Sequence, residues 1–367
     1  MTEIIKAEIA AQGAIPFSRF MELALYCPEY GYYEQKSGTV GRSGDFYTSV
    51  SVGSLFGTLL AFQFARWLER LPDDPVCLVE AGAHDGKLAG DVLNWLVAHQ
   101  PELMSRLTYV IIEPSARRRA WQAETLQRFD TSVTWVRDAS ELPKDLRGVI
   151  FSNELLDAFP VRRLGWNQRM QQWFEWGVVW SANAFHWTRL SGTVTLPEWF
   201  QVPPELQCAL PADHTLELNS AAEQWWRSAA QALRRGWLLT LDYGLDAEDF
   251  LSPHRPNGTV RAYHQHRAVP DALGLPGAQD LTAHVNFSRL QREGEGLGLV
   301  TEFYGLQGRF LSNLAKQLMQ DHRLATTWSA RWSRELQTLI HPEHLGRSFR
   351  VLLQSRGITD THGGHIG

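Results

Sequence analysis

Apolar residues along the chain change their period in a regular order, and that order predicts the elements. Residues 2–12 place Ile5 and Ile9 one helical turn apart with Gly13 as a stop, which predicts a short helix. A second helix starts behind Pro16 at Phe17, carries Phe20, Leu23, Ala24 and Leu25 at helical spacing, and ends by Cys27 before Pro28. Residues 55–71 predict a third, with Phe56, Phe62, Phe64 and Trp67 turned inward. From residue 76, short β-branched runs alternate with helical stretches. Strands are expected at 76–81, 108–113, 133–136, 149–152 and 237–241, and helices at about 86–99 and 115–129. Runs that are apolar throughout belong to strands buried on both faces, so the pattern predicts an α/β fold around a parallel sheet. A strand at about 299–304 and a helical tail from Phe310 to about Leu353 follow, and the residues from Gly357 read as frayed.

Three stretches break the alternation. Residues 161–236 form an insertion whose first part carries Trp166, Trp173, Trp176, Trp180 and Trp187. With Gly165 and Gly177 as turn candidates it predicts a small antiparallel meander, read as a packing layer over the sheet, and a helix over 217–235 follows it. The segment 41–49, G-R-S-G-D-F-Y-T-S, is a glycine-rich loop in which Asp45 or Thr48 is placed to cap the next helix. Residues 253–287 show little regular pattern, and structureless stretches of that length are often functional.

Composition narrows the classes. The chain has 367 residues, 44% hydrophobic and 20% charged, as a soluble globular protein of one or two domains would. A net charge of -5 and a pI near 6.2 argue against a general nucleic-acid binder, and Arg117–Arg119 reads as a solvated helix face. No apolar run approaches a membrane span. Cys27, Cys77 and Cys208 are widely spaced and odd in number, which points to a reducing compartment, and with no targeting segment evident the expected location is cytoplasmic. His264, His266 and His284 lack a cysteine or close carboxylate to complete a ligand set, so no metal is expected.

The chemistry concentrates where the strands end. The first strand runs V-C-L-V-E-A into Gly82, His84 and Gly86, a strand, glycine turn and helix start of the kind that binds nucleotides, although ordinary βα turns look similar. Glu80 ahead of the first glycine would repel a pyrophosphate but suits a cationic amino-acid ligand such as S-adenosylmethionine. It also speaks against a nicotinamide-dependent oxidoreductase. Glu113, Asp138 and Asp242 follow the second, third and fifth strands, and Asn153 and Glu154 follow the fourth. Ligands of open parallel sheets bind beyond those ends. There Glu113 would accept from a ribose diol, Asp138 from an adenine amino group, and Glu80 would lie near the amino-acid end. Each acid taken singly is equally placed to cap a helix or pair with a cation.

Taken together, several long stretches resemble the MidA-like family, which includes the mitochondrial complex I assembly methyltransferases. They are F-M-E-L-A-L-Y-C-P-E-Y-G-Y-Y (20–33), G-R-S-G-D-F-Y-T-S (41–49), S-N-E-L-L-D-A-F-P-V-R-R (152–163), L-D-Y-G (241–244), R-A-Y-H-Q-H (261–266) and Q-D-L-T-A-H-V-N-F (279–287). The resemblance spans roughly residues 16–314. It implies a Rossmann-like class I methyltransferase sheet with N-terminal helices, a Trp-rich insertion and a helical C-terminal tail. The parts would be 1–75, a core of 76–160 and 237–304, the insertion 161–236, and 305–367. The implied activity is S-adenosylmethionine-dependent methylation of arginine in a protein substrate, without nucleic acid or membrane and with a homodimer left open. Glu154 and Asp157, positioned by Asn153, would hold the guanidinium. Asp45, Phe46 and Thr48 would fold over the cofactor, while Tyr243, His264, Asp280 and His284 would line the substrate mouth. Two departures stand out: His84 occupies a glycine position of the family's turn, and Val50-Ser51 replaces the usual Pro-Glu. Both motivate the alternative of a catalytically impaired member that binds the cofactor or a partner as an assembly factor.

Overall fold

The short apolar runs become the strands of one sheet in the computed structural model. It describes all residues except 36–47, 73–74, 130–131, 193, 266, 323, 325–326, 342–344, 347 and 359–367. The strands are β1 (Val76–Ala81), β2 (Leu107–Ile112), β3 (Val133–Val136), β4 (Leu146–Asn153), β5 (Leu233–Leu245), β6 (Val300–Leu306) and β7 (Phe349–Arg356). They pair in the order β6-β7-β5-β4-β1-β2-β3. Pairing is parallel from β5 through β3, while β7 runs antiparallel to both β5 and β6. The order reverses between β1 and β4, and Ala81, Ser152, Ile112, Val136 and Thr240 stand at one level across the sheet. That level is the crevice end of a doubly wound sheet. Residues of β1, β4 and β5 are buried on both faces, as the unbroken apolar runs require.

One element departs from the expectation. Among the described residues, the tail read as helical to Leu353 contains the helices Gln307–Gln320 and Ala330–Ile340 and then β7. Val351, Leu352 and Leu353 are all buried because β7 lies between two strands, and a strand buried on both faces carries no alternation to separate it from a helix.

By density of packing the chain divides into two units. One comprises Tyr47–Leu156, Glu223–Gly244 and Arg289–Gly367 and holds the sheet; the other comprises Met1–Phe46, Asp157–Ala222 and Leu245–Ser288. In the second unit, strand Gln172–Ser181 pairs with Arg162–Asn167, Ala184–Arg189 and Ile15–Pro16. The tryptophan-rich stretch builds cores inside this unit: Trp166 and Trp173 pack with Leu164, Leu216 and Leu218, while Trp180 and Trp187 pack around the helix Phe17–Tyr26. Residues 253–287, which showed no pattern in sequence, contain a small antiparallel sheet of Arg267–Val269, Arg261–His264 and Asp280–Thr282.

The amino-terminal end of the parallel sheet is set by glycine. Gly148 (φ +147°) and Gly236 (φ +134°) lie side by side, and a Cβ on Gly148 would stand 1.8 Å from the Cys77 carbonyl oxygen. Gly148→Ala should therefore lose about 2–4 kcal/mol and lower the melting temperature by about 3–5 °C. Gly192→Ala, at φ +113° with nothing within 4 Å, should lose only the backbone cost of about 1 kcal/mol. Thermal melts of both variants check this, and equal losses would show that close packing at Gly148 is not the cause.

Candidate functional site

The turn leaving β1 is built on three left-handed residues: Gly82 (φ +77°), His84 (φ +47°) and Gly86 (φ +83°). A Cβ on Gly82 would fall 2.9 Å from Leu155 Cδ1, so the turn fits closely against the loop that leaves β4. His84 adopts the left-handed conformation that costs a side chain free energy, so the substitution for glycine keeps the backbone path of the turn. Gly86 then opens the helix Lys87–His99.

One side chain ties this turn to the next two strands. Gln122, fully buried on the helix Ala116–Leu126, donates through Nε2 to the His84 carbonyl (3.0 Å) and to Glu113 Oε2 (3.2 Å). Its Oε1 accepts from the Trp135 indole on β3 (2.9 Å). Glu113, 2% exposed just past β2, also accepts from the Ser115 amide (2.9 Å) and pairs with Arg118 (2.9 Å). Arg118 thus turns inward from a run that reads in sequence as a solvated face. Asp138, past β3, is exposed and accepts from the Ser140 amide (2.8 Å) and hydroxyl (2.5 Å), the arrangement of a helix cap. Those bonds lower its pKa.

Glu80 has a different environment. Its carboxyl is buried and accepts from the Tyr109 hydroxyl at 2.5 Å. Burial pushes its pKa up to about 7 against the pull of that hydrogen bond, with Asp85 adding to the rise.

The exit of β4 is the most constrained part of the site. Glu154 sits at φ +50°, uncommon for a residue with a side chain, and its amide donates to the Leu241 carbonyl (3.0 Å). Glu154 Oε1 accepts from the Ser49 amide and from Asn153 Nδ2, each at 3.1 Å. Asn153 Oδ1 is buried and meets no protein donor among the described residues. Asp242, fully buried in β5, takes the Leu155 and Leu156 amides on Oδ2 (3.1 and 2.8 Å) and the Tyr243 amide on Oδ1 (2.8 Å). On the other side, Thr48 and Ser51 form a capping box: Thr48 Oγ1 accepts from the Ser51 amide (3.2 Å) and Ser51 Oγ from the Thr48 amide (3.1 Å). Position 51 is therefore the third residue of a capped turn, where Glu or Gln ordinarily serves. Ser51 supplies the same bond without the charge. The Lys87 ammonium donates to the Val50 carbonyl, and the Ser49 hydroxyl lies 3.2 Å from Gln307 Nε2.

The structure brings Glu80, Gly82, His84, Gly86, Glu113, Asn153, Glu154 and Thr48 into the sheet-bearing unit, with Tyr243 packed on the Phe349 ring (3.9 Å between centroids). Asp157, His264, Asp280 and His284 belong to the other unit. There Asp280, 6% exposed, accepts from the Tyr33 hydroxyl (2.8 Å), and His264 Nδ1 lies 2.7 Å from the Ala278 carbonyl. Asp157 is 4% exposed, and its carbonyl accepts the Ala283 amide (2.9 Å). Burial, then the charges of Asp280 and Asp157, push the Tyr33 hydroxyl well above its ordinary range. Asp45, Phe46 and His266 lie outside the described residues. Gln122 and Tyr109 were not singled out in sequence, and Asp242 only as one of the strand-end acids. A glutamine on a polar-looking helix and a tyrosine in a strand carry no pattern that marks a clamp.

Comparisons with known proteins agree on the class. A family model described as "Putative S-adenosyl-L-methionine-dependent methyltransferase" matches residues 59–304. The Drosophila melanogaster protein named "Protein arginine methyltransferase NDUFAF7 homolog, mitochondrial" is 26% identical over 98% of this chain and 85% of its own length. The human protein arginine methyltransferase NDUFAF7, mitochondrial, is 27% identical over 79% and 67%. A crystal structure of a Burkholderia thailandensis protein bound to S-adenosyl-homocysteine superposes with a TM-score of 0.82 at 32% identity, covering 97% of this chain and 92% of that one. The expectation of a cytoplasmic location is overturned by the mitochondrial names of the curated relatives. Widely spaced cysteines distinguish reducing from oxidising surroundings, not one reducing compartment from another.

The buried Glu80 carboxyl has a measurable signature. Its folded pKa near 7 lies above the ordinary 4.5, so between those values the folded protein holds more protons than the unfolded chain. The stability this group contributes is fully present below pH 4.5 and is lost as pH rises toward 7. Glu80→Gln keeps an acceptor for Tyr109 and carries no charge, so its stability relative to the parent should improve by up to ~3 kcal/mol across that interval. Melts at both ends of the interval check this, and a pH-independent difference would refute it.

Proposed function

This chain belongs to the S-adenosyl-L-methionine-dependent methyltransferase family, and from that premise we propose that it methylates arginine in a protein substrate. The arginine reading is supported by the names of the relatives that match nearly the whole chain. The observation that carries it to particular atoms is the strained Glu154, whose carboxylate is fixed by the Ser49 amide and Asn153 beside the glycine turn.

The residues at the sheet end fit the cofactor. Left-handed Gly82 and Gly86 give the turn the backbone path of a nucleotide-binding corner, strand-end acids suit a positively charged donor, and Asn153 Oδ1 is a buried acceptor. Gly82, His84 and Gly86 would hold the cofactor's amino-acid end together with Glu80, and Glu113 the ribose. The Asp138 carboxylate would hold the adenine edge. When bound, the cofactor supplies an electrophilic methyl group on a sulfonium.

What remains falls to the protein. An arginine guanidinium is always charged and its lone pairs are delocalised, so it must be held in line and relieved of a proton as the new bond forms. A carboxylate can grip it through paired charge-assisted hydrogen bonds. We assign that grip, and acceptance of the proton, to Glu154, with Asn153 as its positioning residue. Asp242 fixes the loop on which Glu154 stands. The two departures that motivated an impaired member both have structural accounts: His84 keeps the turn's backbone, and Ser51 keeps the cap.

Two outcomes test the assignment. With radioactive S-adenosylmethionine in a cell extract, the chain should label protein on arginine and Glu154→Gln should lower labelling by about 100-fold or more. Equal labelling by both would remove Glu154 from the mechanism, and label on another residue type would remove arginine. Gln122→Ala should weaken S-adenosylhomocysteine binding by ~10-fold through loss of the turn's clamp, while Glu154→Gln should leave that affinity within ~3-fold. Calorimetry decides both.

A further inference from the structure

One face of the main sheet can be followed strand by strand to its crevice end. Phe151 on β4, Leu239 and Leu241 on β5, and Val351 and Leu353 on β7 share a core with the helices Leu55–Leu68 and Gln307–Gln320. Side chains alternate along a strand, so the next positions on that face are Asn153, Tyr243 and Phe349. Register agrees, with Asn153 opposite Leu241 and Tyr243 opposite Phe349. The Tyr243 ring packs on Phe349 with 3.9 Å between centroids and a tilt of 40°. Phe349 is fully buried, whereas Tyr243 is only half-buried. The core therefore ends at the crevice in an aromatic ring that is still partly open.

The Glu154 carboxylate is held on this same face. Its Oε1 accepts from Asn153 Nδ2 and from the Ser49 amide, and Val50 and Val52 of the Ser49 turn pack on the same core as Tyr243. Asp242 joins ring and carboxylate through the backbone. Its Oδ1 takes the Tyr243 amide, and its Oδ2 takes the amides of Leu155 and Leu156, the two residues after Glu154. Carboxylate and ring thus stand at the ends of the neighbouring strands β4 and β5, inside the sheet-bearing unit. The groups assigned to the cofactor leave β1, β2 and β3, on the other side of β4 in the strand order. The ring belongs to the half of the crevice left for the substrate.

A guanidinium is planar and weakly hydrated, so it can lie on an aromatic face while its edge donates to a carboxylate. A lysine ammonium is a compact, strongly hydrated point charge and cannot stack in this way. We propose that the target guanidinium lies against the Tyr243 ring with Glu154 at its edge, and that Tyr243, supported by Phe349, sets the preference for arginine over lysine. The inference rests on the reading of the chain as a protein arginine methyltransferase. It adds the side chain that makes the choice of acceptor, and the choice falls to the ring face, not to the hydroxyl.

Peptide competition against extract labelling by the full chain tests it, with Gly-Arg-Gly, Gly-Lys-Gly and Gly-citrulline-Gly as competitors. In the parent, the arginine peptide should halve labelling at a concentration ~10-fold lower than either other peptide. Tyr243→Phe should keep that preference, and Tyr243→Leu should reduce it to ~2-fold while S-adenosylhomocysteine affinity, read by calorimetry, stays within ~2-fold of the parent. Phe349→Leu, which leaves the ring but removes its support, should give an intermediate preference, so the result does not hang on one variant. An unchanged preference in Tyr243→Leu, a loss in Tyr243→Phe, or no competition by the arginine peptide at millimolar concentration would overturn the proposal. So would weakened S-adenosylhomocysteine binding in Tyr243→Leu, which would put the ring at the cofactor. Arginine labelling with a preference indifferent to Tyr243 would remove the aromatic site and keep the arginine reading. Label on another residue type, beside a preference for the arginine peptide that needs Tyr243, would do the reverse.

Discussion

A parallel sheet whose strand order reverses leaves a gap beyond β1 and β4, and nothing in the sheet's own hydrogen bonds shapes that gap. Here it is shaped by buried side chains that bond to backbone. Gln122 fastens the glycine turn to the ends of β2 and β3, and Asp242 takes two amides of the loop leaving β4 and the Tyr243 amide of its own strand. Each is fully buried, so leaving its partners unsatisfied would cost more than the bonds contribute when made. The left-handed residues His84 and Glu154 persist because these clamps determine the backbone around them.

The acids at the strand ends look alike in sequence and are unlike in the folded chain. Glu80 is buried against the Tyr109 hydroxyl and resists ionisation; Glu113 is enclosed by an amide, Arg118 and Gln122. Asp138 caps a turn in solvent, and Asp242 holds backbone. Only Glu154 combines a strained backbone with a carboxylate fixed by two donors at the reversal point. Position along a strand sets where a carboxylate stands. Its neighbours from other elements set what it can do.

That division explains how far the sequence could be read. Strands β1 to β5, their order of alternation with helices, and the glycine turn all follow from local period and from residues that tolerate unusual dihedrals. β7 does not, since its burial comes from pairing with β5 and β6, strands roughly a hundred and roughly fifty residues away along the chain. Gln122 could not be singled out either, because its three partners come from three other elements. At position 51 the missing glutamate looked like a lost site charge. The capping box shows the hydrogen-bonding role of that position filled by a shorter side chain.

The paired glycines at the opposite margin of the sheet have a further consequence. Gly148 and Gly236 bring three backbones into close register at the end where the strands begin, a full strand length from the crevice. Steric tolerance and chemical tuning are thereby assigned to different margins of one sheet. Repacking around the first would alter how long the protein survives heating while the second kept its selectivity, so durability and specificity rest on separate parts of the sheet.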